Sequence, residues 1–241
     1  MQSLPTRPHP LSPEAFSKLR AVSTATLTVQ LQKRGFRNTF LQGLTPLRPD
    51  LRMVGYAFTL RYVPMREDLL DRNHDNTKNI QRIAIETIGQ DEVLVIDARG
   101  DVRAGTLGNI LATRIMKRGA AGIVTDGAVR DSPAFRNMDL PTYIQAPHAA
   151  VSYSIHHPLE MNVPIGCAGV LIMPGDVIVG DAEGVVAIPA QVAESVAVDA
   201  YEQERLEEFL ESKIAAGASI LGVYPPNEET LAEYWEWRET K

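Results

Sequence analysis

Gly122-Ile-Val-Thr-Asp-Gly-Ala-Val-Arg-Asp131 is the stretch whose reading decides how this chain folds. Its first half is β-branched and apolar, which predicts a buried strand, and Asp126-Gly127 predicts that the strand ends there in a turn. That turn would present Arg130 beside Asp131. A turn needs Asp-Gly but has no need of an arginine and a carboxylate directly after it. The pair therefore points to chemistry, because a guanidinium and a carboxylate side by side can hold an anionic substrate and a divalent cation together. Upstream, Gly105-Thr-Leu-Gly108-Asn-Ile-Leu-Ala112 reads as a glycine-rich turn opening a helix, and free backbone N–H groups there suit a carboxylate or phosphate.

Working outward, Val93–Asp97 predicts a strand and Leu107–Arg118 a helix closed by Gly119, so the quoted stretch completes a strand, helix, strand unit. Such a unit implies parallel strands and a right-handed crossover. Before it, Ser12-Pro-Glu-Ala opens one helix and Thr24–Lys33 forms another, followed by a strand over Met53–Tyr62 and a charged loop over Pro64–Asp75. Ile80, Ile83, Ile85 and Ile88 recur at mixed helical spacing within Thr77–Ile88. After Asp131 the character becomes strand-rich, with short runs at Thr142–Gln145, Gly169–Met173, Val177–Val179 and Val185–Ile188. A long helix over Ala190–Ala216 follows, with Val192, Val196, Phe209 and Leu210 on an apolar face and most of its glutamates elsewhere. The pattern predicts an α/β/α layered fold with a mixed sheet: a polar tail over 1–14, a single domain over 15–222 and an arm over 223–241. Tyr234-Trp-Glu-Trp237 in that arm is an aromatic group suited to anchoring on another subunit.

Hydrophobic residues make up 44% of the 241 positions, enough for a substantial single core. With 24 basic against 30 acidic residues the formal net charge is −6, so nucleic acid is not an expected partner. Cys167, the one cysteine, excludes an intramolecular disulfide and a cysteine-built zinc site and reads as a small buried apolar residue. No apolar stretch is long enough to span a membrane, and Met1–Pro10 is polar and proline-rich without a secretory core, so cytoplasm is the expected location.

The other polar residues carry less. Asp176 and Asp181 each follow a glycine and read as turn formers, Asp97 as a strand-end cap, and Arg99 and Arg103 as a solvated turn. His148, His156 and His157 follow no helical metal spacing, and the Gly-x-Ser-x-Gly of a hydrolase triad is absent.

Together with Gly175-Asp176 and Gly180-Asp-Ala-Glu-Gly-Val-Val-Ala-Ile-Pro189, these motifs resemble the family of the ribonuclease-activity regulator RraA and of 4-hydroxy-4-methyl-2-oxoglutarate aldolases. The resemblance covers roughly residues 15–222, with its motif core at 105–189. It implies an RraA-like fold assembled as trimers or hexamers with sites between subunits, a small anionic 2-oxo acid as substrate, and a divalent metal (Mg or Mn) with no organic cofactor. In the aldolase branch, the Arg matching Arg130 holds the oxo-acid end, and the Asp matching Asp131 is the direct protein ligand of the metal. The main-chain amides of Gly108, Asn109, Ile110 and Leu111 would receive the substrate carboxylate. Asn109 departs from the pattern, replacing an acid that in the aldolases orders metal-bound water with a glutamate from the next subunit. By the spacing back from Gly217 that glutamate would be Glu207, with Glu208 and Glu204 as fallbacks. The implied activity is carbon–carbon cleavage by retro-aldol reaction or decarboxylation. The rivals are a non-catalytic regulator binding a ribonuclease, whose branch lacks the Asp matching Asp131, and a metal-assisted dehydratase or isomerase of sugar-derived acids.

Overall fold

In the computed structural model, residues 10–69, 75 and 77–240 are described. Most of the expected polar tail and part of the charged loop after Pro64 lie outside them.

Two capped helices open the chain. Ser12 accepts a hydrogen bond from Ala15 N to start α1 (Pro13–Ala21), and Ser23 accepts from Thr26 N to start α2 (Thr24–Lys33). A short β1 (Thr45–Pro46) precedes the long β2 (Met53–Pro64), followed by α3 (Ile80–Thr87), β3 (Glu92–Asp97), α4 (Asn109–Lys117), β4 (Gly122–Val129), α5 (Ser132–Phe135) and β5 (Thr142–Pro147). Then come β6 (His156–Met161), β7 (Ile165–Cys167), β8 (Val170–Ile172), β9 (Val177–Gly180), β10 (Val185–Ile188), α6 (Ala193–Ala215) and α7 (Glu228–Glu239).

The mixed eight-stranded sheet runs β1-β5-β4-β3-β2-β9-β10, with β6 also paired to β2. β2, β3, β4 and β5 are parallel neighbours, while β1, β6, β9 and β10 join antiparallel; β7 and β8 form a separate hairpin. Strands buried on both faces read as continuous apolar runs, which is why Val93-Leu-Val-Ile96 carries no polar alternation. Leu94, Ile96 and Ile123 pack with Ile85 of α3, Ile115 of α4 and Phe135 of α5. Val54, Val177 and Val179 pack with Leu19, Leu27 and Val196 of α1, α2 and α6. Val93, Val95 and Val124 meet the β7–β8 hairpin, where Cys167 is buried. Helices therefore flank the sheet on both sides, as the α/β/α pattern predicts.

Two expectations need correction. β4 does not end at Asp126-Gly127 but runs to Val129, with an irregularity in its pairing to β5 between Thr125 and Ala128. The Asp126 carboxylate is buried and accepts from the backbone N–H groups of Ala98, Gly100 and Ala168, at 2.6, 3.1 and 3.3 Å. A Cβ on Gly127 would lie 2.6 Å from Ala98 Cβ. Asp-Gly here makes a bulge in a strand rather than a turn after it. Second, the aromatic arm closes on its own chain. Tyr234 is 2% exposed, stacks on Trp237 and lies tilted against Phe209 of α6.

Asp176 and Asp181 behave as expected, accepting from the nearby Met173 N and Glu183 N respectively, and Asp181 also accepts from the distant Thr24 N. Among the described residues no helix is long and apolar enough to cross a membrane.

Candidate active site

The site forms where the glycine-rich turn docks on the end of β4. Thr106 N and Oγ1 both donate to Ala128 O (2.7 and 2.9 Å), and Arg130 N donates to Leu107 O (2.9 Å), which extends the parallel pairing past the strand. The approach demands glycine: a Cβ on Gly105 would lie 2.5 Å from Arg130 Cγ, and one on Gly108 would lie 2.7 Å from Asp131 Oδ2. Asp131 adopts a left-handed conformation (φ 59°) that turns the chain sharply from β4 into α5. Ligand sites in α/β sheets gather at the carboxyl ends of parallel strands, and this one sits at the end of β4.

α4 begins at Asn109 with Gly108 as its N-cap, so no side chain caps the helix. Its first turn carries amides without helical partners, at the positive end of the helix dipole. Of these, Asn109 N makes a long 3.4 Å contact to Asp131 Oδ2. Arg130 is half-buried, and its Nε is buried with no hydrogen-bond partner. An unpaired buried donor on a guanidinium beside free helix amides is a built demand for an anion. Asp131 is exposed, and the long contact from Asn109 leaves its carboxylate lone pairs to spare. Among the described residues no group of three or more His, Cys, Asp and Glu side chains could hold a metal ion. The donor set thus fits a hard cation that keeps most of its water, held by one carboxylate, and does not fit a structural zinc site.

A cavity of about 750 Å³ opens at this point, with Gly105, Gly108, Leu111 and Arg130 in its lining. Its remaining wall comes from α3, from β6 and from the loop before β6: Lys78, Gln81, Arg82, Tyr153, His156 and His157 among others. Gln81 Nε2 donates to Tyr62 OH (2.7 Å) and Thr106 O (2.6 Å), tying α3 and β2 to the glycine turn. The Tyr62 ring stacks on His156, with centroids 5.5 Å apart. Burial lowers the His156 imidazolium pKa below its ordinary value.

The structure therefore brings together Gly108, Asn109, Leu111, Arg130 and Asp131. Ile110 shares the turn, but its side chain is 79% exposed. Glu207 lies on α6, accepts from Gln203 Nε2 (2.8 Å) and does not line this chain's cavity. Glu204 is engaged within its own chain, accepting from Ser23 N (2.7 Å) and Ser23 Oγ (2.6 Å), and Glu208 is exposed on α6. Arg103 and Arg99 pair with Asp101, and Asp97 accepts from Arg99 N, as a solvated turn and a strand-end cap should. The wall residues Gln81, Arg82 and His156 carry no sequence motif. They converge from separate elements, and only the packing reveals them.

Residues 23–187 match the sequence model of the RraA-like family, described as Aldolase/RraA. Over 133 residues the chain is 36% identical to a Halalkalibacterium halodurans protein with the provisional name 4-hydroxy-4-methyl-2-oxoglutarate aldolase, covering 55% of this chain and 63% of that one. It is 25% identical over 208 residues to protein DlpA of Legionella pneumophila, covering 86% of this chain and 33% of that protein. The chain thus spans less than two thirds of the length of either relative. Among solved structures, Streptomyces coelicolor RraAS2, an unusual member of the RNase ES inhibitor RraA protein family, aligns with a TM-score of 0.74 and 31% identity, covering 87% of this chain and 98% of that one.

Proposed function

Because the chain belongs to the RraA-like family, Aldolase/RraA, we propose that it is a divalent-metal-dependent lyase that breaks a carbon–carbon bond of a small 2-oxo acid. The reaction is retro-aldol cleavage of a 4-hydroxy-2-oxo acid, decarboxylation of oxaloacetate, or both. The observation that carries this reading is that Arg130, whose Nε has no partner, lines one cavity together with Gly108 at the uncapped start of α4, while the exposed Asp131 carboxylate lies against that same turn, 3.4 Å from Asn109 N.

In this reading the amides from Gly108 to Leu111 hold the substrate carboxylate, and Arg130 bridges the carboxylate and the 2-oxo oxygen. Both reactions push an electron pair from the breaking bond into an enolate, and Arg130 is placed to stabilise the charge that develops there. A magnesium or manganese ion held by Asp131 would supply Lewis-acid polarisation of the oxo group. The retro-aldol reaction also needs a base to take the C4 hydroxyl proton. Asn109 cannot accept a proton at neutral pH, although its amide can still orient a water. Glu207 is absent from its own chain's cavity, so it would act only from a neighbouring copy, in a cytoplasmic trimer or hexamer.

The test is an assay of purified protein against oxaloacetate and 4-hydroxy-2-oxo acids, with and without Mg²⁺ or Mn²⁺. Metal-dependent release of pyruvate is expected; inactivity on every compound with metal present would sink the reading. Mixing Arg130→Ala and Glu207→Ala chains tests the shared site, since hybrid assemblies should regain activity that neither parent has. A second reading, a regulator that binds a ribonuclease, is favoured by the likeness to RraAS2; it predicts ribonuclease inhibition and no turnover.

A further inference from the structure

The lyase reading assigns ligands to one end of the cavity only. At about 750 Å³ the cavity lies within the range that encloses drug-sized ligands, and a three- or four-carbon acid would leave most of it empty. Its other wall is polar and incompletely satisfied. His156 is 0% exposed, and its Nδ1 has no hydrogen-bond partner. Its Nε2 lies 3.3 Å from Ala104 O, which can only accept, so the ring hydrogen sits on Nε2 and Nδ1 is a bare acceptor. Next in the wall, Arg82 Nη1 donates to Gln81 Oε1 (3.1 Å), and no carboxylate pairs with Arg82 among the described residues. The run Arg82, Gln81, Tyr62, His156 is continuous through hydrogen bonds and ring stacking. Lys78 lies in the same wall, paired with Asp75 at 3.2 Å, and His157 follows His156.

We propose that this wall is a second subsite, which binds the far part of a hydroxylated 2-oxo acid chain ending in an anion. A substrate hydroxyl donates to His156 Nδ1, and Arg82 with Lys78 takes the terminal carboxylate or phosphate. The two demands are of opposite sign, an acceptor wanting a hydroxyl and a guanidinium wanting an anion. One extended polyhydroxy acid meets both, and a short oxo acid meets neither. The proposal rests on the lyase reading for the near end alone.

Isothermal titration of the whole protein with magnesium present tests it, using pyruvate, 2-keto-3-deoxygluconate, its 6-phosphate and 2-keto-3-deoxyglucarate. The six-carbon compounds should bind more tightly than pyruvate, and those with an anionic far end about tenfold more tightly than 2-keto-3-deoxygluconate. Whichever of the phosphate and the dicarboxylate binds better identifies the terminal group. In Arg82→Ala the preference for an anionic end should fall to a ratio of about 1. His156→Phe keeps a ring against Tyr62 and should erase the advantage of 2-keto-3-deoxygluconate over pyruvate; should that variant not fold, Arg82→Ala alone decides. Equal affinities for pyruvate and the six-carbon compounds, or an undiminished preference in Arg82→Ala, would overturn the subsite while leaving the lyase reading intact. Failure of pyruvate itself to bind would overturn both.

Discussion

Gly108 and Asp131 are in such close contact that a Cβ on the glycine would fall 2.7 Å from the aspartate Oδ2. The glycine has φ −121° and ψ −179°, which any residue can adopt, so its role is space rather than backbone freedom. Gly108→Ala should therefore push Asp131 aside and weaken metal affinity by about 10- to 100-fold, the usual cost of disturbing a ligand's support. Stability should fall by less than about 1 kcal/mol, since alanine is only a poorer N-cap. Metal titration beside a thermal melt checks both, and unchanged metal affinity would detach Asp131 from the site.

Asp131→Ala should abolish activity, and chelator-treated protein should be inactive until Mg²⁺ or Mn²⁺ is restored. Among the described residues one carboxylate is the direct protein anchor, so the effect should be all or nothing. Full turnover in either sample would refute the metal assignment.

Arg130→Lys keeps the charge but replaces a planar fork with a single ammonium. The barrier should rise by roughly 2–4 kcal/mol if Arg130 stabilises the enolate. A kcat/KM equal to that of the unaltered protein would reduce Arg130 to a structural role.

Asn109→Asp places a carboxylate at the first position of α4, next to Gly108 in the cavity lining. Aldol cleavage of 4-hydroxy-4-methyl-2-oxoglutarate should increase, because that reaction needs a base, while oxaloacetate decarboxylation should change far less. Equal changes in both rates would show that the position does not handle the hydroxyl proton.

Asp126→Ala tests the fold rather than the chemistry. Losing the carboxylate leaves the amides of Ala98, Gly100 and Ala168 without an acceptor, at about 1–3 kcal/mol for each one that water cannot reach. The melting temperature should drop by several degrees or more. An unshifted melt would mean that water replaces the carboxylate.

The legible parts of this fold are those whose causes are local. Ser12 and Ser23 cap helices within three residues, so α1 and α2 follow directly from the chain, as do the turns at Asp176 and Asp181. The near end of the cavity was legible because glycine turn, Arg130 and Asp131 lie within 27 positions, from 105 to 131. Asp126 misled because two of its three donors come from the β3–α4 connection and the third from the β7–β8 hairpin, and no window of sequence contains them. Tyr62, Gln81 and His156 stayed silent for the same reason. Tyr234 and Trp237 advertise burial, but composition cannot say whether the surface they cover belongs to their own chain or to another.

The cavity draws its two ends from different layers of construction. Gly108 and Arg130 come from the α4 and β4 junction, whereas Gln81 and His156 come from α3 and β6, and the halves meet through backbone acceptors at Ala104 and Thr106. A side chain in the outer half that makes neither of these contacts, such as Arg82, can therefore be exchanged with little disturbance of the inner one. Descendants of such a chain can inherit one reaction and acquire many diets, with residues 78–82 and 153–157 as the places where new tastes are written.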